Sequence, residues 1–289
     1  MTRGGITSIG VVVAVGVSVL TGAAHQTRPP VFTARRDLVR LDVSVTDRGK
    51  PITGLQAGDF TVVDNGVPQK VEYLSFDELA LNIVLAFDAS GSVAGPRVTD
   101  LRAAGHAVLD QLRPDDRAAF VSFSHAVSLG SDLTGDLASV RRAIDASGAT
   151  GLTSIVDAAF AGLTLGASDT GRSLMLVFSD GVDTSSWLEP KAVIDAAKRS
   201  NVVVFGVTAA KSRDPFLKDL AEASGGDLAE VQKTSELRST FVKLLAEYRL
   251  RYLVGYSPTG VTTGGWHKVQ VSVPRRNVSI KARDGYQDR

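Results

Sequence analysis

The sequence contains no cysteine, and histidine is scarce, with 4 residues in a chain of 289. Without cysteine the chain cannot form disulfides, thiolate metal sites or a cysteine nucleophile. Positive charge is not in excess either, because 32 Lys and Arg residues face 31 Asp and Glu residues, a formal net charge of +1. Since nucleic-acid-binding proteins usually show a basic excess or a basic stripe, no nucleic-acid partner is expected.

Several catalytic motifs are also missing. The sequence has no G-x-x-x-x-G-K-[ST] phosphate-binding loop, no H-E-x-x-H zinc motif and no G-x-S-x-G nucleophile elbow. His106 falls on a predicted helix and His125 in a predicted loop, so little supports a Ser-His-Asp hydrolase.

The first residues have the pattern of an export signal. Arg3 precedes an uncharged run at 9–20, and small residues follow at 21–24. The run is shorter than the ~20 residues of a membrane-spanning helix. We therefore predict a cleaved signal peptide at 1–24 and an extracytoplasmic, periplasmic or secreted protein. An uncleaved anchor is the alternative, and only then would a membrane be a partner.

The segment 31–78 is predicted to form short β-strands. Residues 38–45 alternate apolar and polar side chains, as a half-buried strand does. Residues 60–63 and 71–74 flank Asp64-Asn65-Gly66, a turn sequence that predicts a hairpin between them. Three short strands are too few to be stable alone, so further strands must come from elsewhere in the chain.

The pattern changes at residue 80. Continuous apolar runs at 81–87, 118–123, 173–178 and 201–207 alternate with segments of helical spacing. Buried strands alternating with amphipathic helices predict an open, mostly parallel, doubly wound α/β sheet over 80–248. The segment 250–289 is again strand-like, so we predict a small β-sandwich-like domain made from both ends of the chain, with the α/β domain inserted in it.

Polar side chains follow the predicted parallel strands. Asp88, Ser90 and Ser92 follow the first strand, Thr153 begins a helix, and Asp180 follows a later strand. Open α/β sheets bind ligands at the carboxyl ends of their strands, so these side chains should converge. Two carboxylates and three hydroxyls are hard oxygen ligands that suit Mg²⁺, Mn²⁺ or Ca²⁺ rather than Zn²⁺.

Each of these residues also has a structural interpretation. Asp88 and Asp180 could form turns or cap helices, and Thr153 could be an N-cap. Asp183 and Ser185 could extend the metal site, although a solvated loop is the simpler role for them. The sequence's two tryptophans, Trp187 and Trp266, are expected to pack against the fold, with exposed contact surfaces as the alternative.

The segment Asp88-Ala89-Ser90-Gly91-Ser92 resembles the D-x-S-x-S loop of the metal-ion-dependent adhesion site in von Willebrand factor A domains. Thr153 matches the second-loop threonine of that family, and Asp180 matches its third-loop aspartate. Residues at 123–124 and 223–226 are also similar. The flanking segments, at 54–69, 252–258 and 283–286, resemble a narrower group, the VWFA-related proteins described from Acidobacteria.

The resemblance implies that Ser90, Ser92 and Thr153 bind the ion directly, while Asp88 and Asp180 act mainly through water. Such an ion stays electron-poor and favours a carboxylate from outside. The expected function is therefore an exported, metal-dependent protein-binding or adhesion module, not an enzyme, whose protein partner donates an Asp or Glu. A hydrolase that uses the same ion as a Lewis acid is the main alternative and would need a general base. A degenerate, purely structural site is the other.

Overall fold

The computed structural model describes residues 38–168, 170–209 and 215–288. The predicted signal peptide at 1–24, and the first residues of the predicted N-terminal β segment, lie outside the described residues. Within these ranges, no helix has the length and apolar character needed to cross a membrane.

Fifteen strands and six α-helices make up the described chain. In chain order, the elements up to the middle of the chain are β1 (Val39–Asp47), β2 (Lys50–Pro51), β3 (Thr61–Asp64), β4 (Val67–Gln69), β5 (Tyr73–Phe76), β6 (Leu81–Asp88), α1 (Pro96–Leu109), β7 (Arg117–Phe123), β8 (Val127–Thr134), α2 (Leu137–Ala146) and α3 (Ile155–Gly166). They are followed by β9 (Arg172–Ser179), α4 (Pro190–Arg199), β10 (Val202–Ala209), α5 (Pro215–Ser224), β11 (Asp227–Val231), α6 (Leu237–Arg249), β12 (Tyr252–Tyr256), β13 (Gly265–Ser272), β14 (Val278–Lys281) and β15 (Gly285–Asp288).

The central sheet has the strand order β11-β10-β9-β6-β7-β8. All its pairings are parallel except that of β8, which runs antiparallel to β7 at the edge. Every residue of β6 and β9 is buried, because both strands lie inside the sheet with helices over both faces. Their continuous apolar sequences are those expected for strands in this position.

Helices cover the two faces of this sheet. Helices α1, α2 and α6 pack on one face, where Phe87, Phe120 and Phe241 belong to one apolar cluster. Helices α3, α4 and α5 pack on the other face, around Met175 and Val204. The predicted doubly wound, mostly parallel α/β fold is thereby confirmed.

Two antiparallel sheets contain strands from both ends of the described chain. In one, β1 pairs with β12 and β14, and β5 pairs with β12. In the other, β13 pairs with β3 and β15, and β3 pairs with β4. A third apolar cluster, which includes Leu41, Val62 and Tyr256, fills the space between them. The α/β elements lie in sequence between β5 and β12.

One local prediction was wrong. The hairpin at Asn65-Gly66 joins β3 to β4, which ends at Gln69, and not to a strand at 71–74. Strand β5 begins only at Tyr73 and pairs with β12 in the other sheet. The Asn65-Gly66 turn itself is present. Both residues have the positive φ values, 45° and 85°, that a tight hairpin turn requires.

Candidate metal centre

Three loops meet at the carboxyl edge of the central sheet. The first follows β6, the second precedes α3, and the third follows β9, the neighbour of β6 in the sheet. Backbone hydrogen bonds join the first two loops, from Gly91 N–H to the Gly151 carbonyl at 3.0 Å and from Thr150 N–H to the Ala89 carbonyl at 2.7 Å. The loops are therefore held at fixed positions relative to each other.

Asp88 is the most enclosed acidic group of this edge, with 1% of its surface exposed. Its carboxylate accepts hydrogen bonds from the Ser90 backbone N–H at 2.8 Å and from the Ser179 hydroxyl at 2.7 Å. Burial raises the pKa of Asp88, the hydrogen bonds from Ser90 and Ser179 oppose that shift, and the nearby charge of Asp180 adds to it. By accepting the Ser90 N–H, the Asp88 side chain closes the turn that is its structural interpretation. Asp88 therefore shapes the loop and also brings a negative charge to it.

Ser90, Ser92 and Asp180 form a continuous row of oxygen atoms. The Ser90 and Ser92 hydroxyl oxygens are 2.9 Å apart, and the Ser92 hydroxyl donates to Asp180 Oδ1 at 2.5 Å. Ser92 and Asp180 are 88 positions apart in sequence, so the fold and not local structure brings them together.

Thr153 contacts the third loop, which carries Asp180. A β-carbon added at Gly181 would be 3.5 Å from Thr153 Oγ1, which places the threonine hydroxyl against the third loop. The Thr153 backbone is held from that loop, because its N–H donates to Thr184 Oγ1 at 3.0 Å and its carbonyl accepts from Thr184 N–H at 2.8 Å. The N-cap residue of α3 is Ser154, so Thr153 does not have the N-cap role.

The structure gives Asp183 and Ser185 supporting roles. Asp183 Oδ1 accepts the Ser186 hydroxyl at 2.5 Å and the Val156 N–H at 3.4 Å. Ser185 N–H donates to the Thr153 carbonyl at 3.1 Å. Both residues therefore hold the third loop against the start of α3.

Sequence reasoning missed Arg97, in the first turn of α1. Its Nη1 atom donates to Asp180 Oδ2 at 2.8 Å and to the Ser92 carbonyl at 3.0 Å. The Arg97 side chain is 53% exposed, while that of Asp180 is 3% exposed. The only available signal was its position, since the first turn of a helix after a strand-end loop lies at the same edge of the sheet as the loop.

The donor set fits a hard divalent cation. All five predicted side chains come together at one edge, and all their donor atoms are oxygens. The charge of Asp180 disfavours the charge of the buried Asp88 carboxylate, and a cation between the two would relieve this. Among the described residues, no group of three or more histidine, aspartate or glutamate side chains is placed to hold a metal ion.

Exposed apolar side chains border these loops. Leu152 and Val182, next in sequence to Thr153 and Gly181, are 55% and 54% exposed, and Trp187 is 93% exposed. The expectation that Trp187 packs against the fold was therefore wrong. Trp266 is 42% exposed and has the Lys198 ammonium 5.2 Å from its ring centre, so it is only partly packed.

The chain thus belongs to the class of doubly wound α/β domains that carry hydroxyl and carboxylate side chains at the carboxyl ends of their strands. The family model of the von Willebrand factor type A domain matches residues 82–243. The chain belongs to this family, whose members often mediate metal-dependent protein interactions and are generally interaction modules rather than enzymes. A search of the curated proteins finds no significant match.

Solved structures share the fold at low sequence identity. A von Willebrand factor type A protein from Catenulispora acidiphila is 13% identical, with a TM-score of 0.53 over 89% of this chain and 75% of that one. Proximal thread matrix protein 1 from the mussel byssus is 17% identical, with a TM-score of 0.53 over 64% of this chain. It is described with a zinc-occupied MIDAS (metal-ion-dependent adhesion site) motif. The matched part spans about half, 49%, of the mussel chain.

Proposed function

We propose that this protein is an exported binding module that recognises a partner protein through a divalent cation. The observation that carries the proposal is that one edge of the sheet holds Ser90, Ser92, Thr153, Asp88 and Asp180. There the Ser92 hydroxyl contacts Asp180 across loops far apart in sequence, and the Thr153 hydroxyl lies against Gly181, next to Asp180. We propose Mg²⁺, Mn²⁺ or Ca²⁺ as the cation, because hard oxygen ligands suit these ions.

The roles of the residues follow from their charge and position. Ser90, Ser92 and Thr153 would hold the cation through neutral hydroxyls, while Asp88 and Asp180 would supply the compensating negative charge. Bound in this way, the cation would keep enough positive charge to accept a carboxylate oxygen from outside. Asp88 is already held by Ser90 and Ser179, and its neighbour Asp180 by Ser92 and Arg97. Neither carboxylate is thus a free general base, and we propose no catalytic activity.

The surroundings of the site favour a protein as the partner. The exposed Trp187 belongs to a loop whose backbone is held by α3. The Asp157 carboxylate accepts the backbone N–H of Trp187 at 3.0 Å and that of Leu188 at 2.9 Å. An exposed tryptophan on a rigid loop is a frequent energetic anchor in protein interfaces. The partner would therefore place an Asp or Glu at the site and apolar surface over Trp187.

An extracytoplasmic location belongs to the same proposal. It is supported by the sequence pattern at 1–24, a basic residue, an apolar run and small residues in the order of a signal peptide. N-terminal sequencing of the protein recovered from its native host tests it. Cleavage near residue 24 and recovery outside the cytoplasm are expected, and an uncleaved cytoplasmic chain would contradict this part of the proposal.

Binding to immobilised peptide arrays tests the recognition itself. Peptides that carry one Asp or Glu should bind when Mg²⁺ or Mn²⁺ is present, and matched peptides with Asn or Gln should not. Chelator should abolish binding, and so should Ser90→Ala, which removes one ligand oxygen from the site. Ser131→Ala, which removes a hydroxyl of β8 away from the site, is the matched control. Equal binding of the acidic and amide peptides, or turnover of ester and phosphate substrates that needs the cation, would contradict the proposal.

Arg97 gives a prediction of the opposite sign. Its guanidinium contacts Asp180, so it brings positive charge to the place where the cation would bind. Arg97→Gln should tighten Mn²⁺ binding by roughly threefold to tenfold, a modest effect because the side chain is half exposed and screened by water. Titration calorimetry measures this. Arg199→Gln, at the far end of α4, should leave the affinity unchanged, and weaker binding by Arg97→Gln would show that Arg97 supports the site.

A further inference from the structure

The Arg97 guanidinium lies at the rim of the candidate metal centre, and only one of its three nitrogens is bound there. Its Nη1 atom donates to Asp180 Oδ2 at 2.8 Å and to the Ser92 carbonyl at 3.0 Å. Within the described ranges, neither Nε nor Nη2 of Arg97 donates to an acceptor. The Arg97 side chain is 53% exposed, so a ligand from solution can approach it.

The two remaining nitrogens of Arg97 form a complete binding edge. In a guanidinium group, the Nε–H bond and one Nη2–H bond point the same way, and together they can bind both oxygens of one carboxylate. Nη1 lies outside this edge, so the contact with Asp180 leaves the edge intact. Arg97 can therefore hold Asp180 with one nitrogen and a second carboxylate with the other two.

The acidic side chains around Arg97 do not use this edge. Among the described residues, Asp180 is the one carboxylate in an ion pair with Arg97. Asp100, in α1, and Asp183, in the third loop, accept hydroxyl groups of other residues. A second carboxylate for Arg97 can thus come from a partner, which the metal centre brings to the same edge of the sheet.

We propose that Arg97 is a specificity-determining residue that binds a second acidic side chain of the partner. The inference rests on the proposed function, in which the first acidic side chain binds the cation. Asp180 connects the two positions, because its Oδ1 accepts the Ser92 hydroxyl at 2.5 Å and its Oδ2 accepts Arg97 Nη1. A cation ligand and the guanidinium therefore contact the two oxygens of one carboxylate. Two acidic residues close together in one segment of the partner can reach both positions.

Peptide binding to the full chain at saturating Mn²⁺ tests the role of Arg97. A host peptide with one Asp is given a second Asp, or Asn as its control, at each of the three positions on either side. The best two-Asp peptide should bind the wild-type protein roughly threefold to fivefold more tightly than its Asn match, a modest gain because the guanidinium is half exposed.

Variants assign this gain to the guanidinium. Arg97→Gln should bind the two peptides alike, and saturating Mn²⁺ removes the effect of this variant on the affinity for the cation. Arg97→Lys keeps the charge but not the paired donors, so it should keep only part of the gain. Arg199→Gln, the same change of charge at the far end of α4, should keep all of it.

The outcomes separate this inference from the proposed function. If single-Asp peptides bind with Mn²⁺ but no second Asp tightens their binding to the wild-type protein, the inference is overturned and the proposed function stands. A full gain in Arg97→Gln would also overturn the inference, because the second Asp would then bind elsewhere. If no acidic peptide binds in the presence of Mn²⁺, both are wrong.

Discussion

Asp88→Ala should lower the affinity of the protein for Mn²⁺ by roughly 100-fold. Asp88 brings one of the two buried charges of the site, and through its bond to the Ser90 N–H it also sets the loop that carries Ser90 and Ser92. The substitution removes the charge and the loop-forming hydrogen bond together. Titration calorimetry of the full chain measures the affinity, and circular dichroism shows whether the fold is retained.

Two further variants make the result specific. Asp88→Asn keeps the size of the side chain and an oxygen acceptor but removes the charge, so a large loss is again expected and can be ascribed to charge. Asp115→Ala, in the exposed loop before β7 at the other edge of the sheet, removes an aspartate without touching the site. Unchanged Mn²⁺ affinity in a folded Asp88→Ala protein would mean that the ion binds elsewhere or not at all.

Gly226→Ala should destabilise the fold by about 3 kcal/mol or more. A β-carbon at Gly226 would overlap the carbonyl oxygen of Val204 and would lie 2.6 Å from its carbonyl carbon. Both partners are backbone atoms, and Val204 lies within β10, which is paired on both sides. The clash can be relieved only by moving β11 away from β10 or by displacing the central sheet.

Urea unfolding measures this loss, with Gly135→Ala as the matched control. A β-carbon at Gly135 meets nothing within 4 Å, and its φ lies outside the positive range, so this substitution should change stability by only about 0.5 kcal/mol. Equal urea midpoints for the two variants would contradict the close packing of Gly226 against β10.

The central sheet could be predicted because its buried strands have a strong signal. Strands β6 and β9 are apolar along nearly their whole length, which only a strand covered on both faces requires. Strand β8 left no such signal, since it is an edge strand whose side chains are exposed or half-buried. Strand β4 has only three residues, too few for an alternating pattern to show. The sequence therefore predicts the second strand of the hairpin at 71–74, just after β4.

The candidate site was predictable to the extent that topology determines it. Because parallel strands end at one edge, Asp88 and Asp180 had to lie near each other once β6 and β9 were neighbours. Arg97 was not predictable, since an arginine in the first turn of a helix has the same local pattern whether it faces solvent or a carboxylate. Its contact with Asp180, 83 positions away, depends on the packing of α1 across β6.

The most direct test of the metal-centre account is an anomalous-scattering map from a crystal of this protein soaked in Mn²⁺, repeated with Zn²⁺. The account predicts one Mn²⁺ peak at the carboxyl edge of the sheet, in contact with the hydroxyl oxygens of Ser90, Ser92 and Thr153. It also predicts weaker occupancy by Zn²⁺ under the same conditions. A map without a peak among these residues, or with Mn²⁺ bound only elsewhere on the chain, would contradict it.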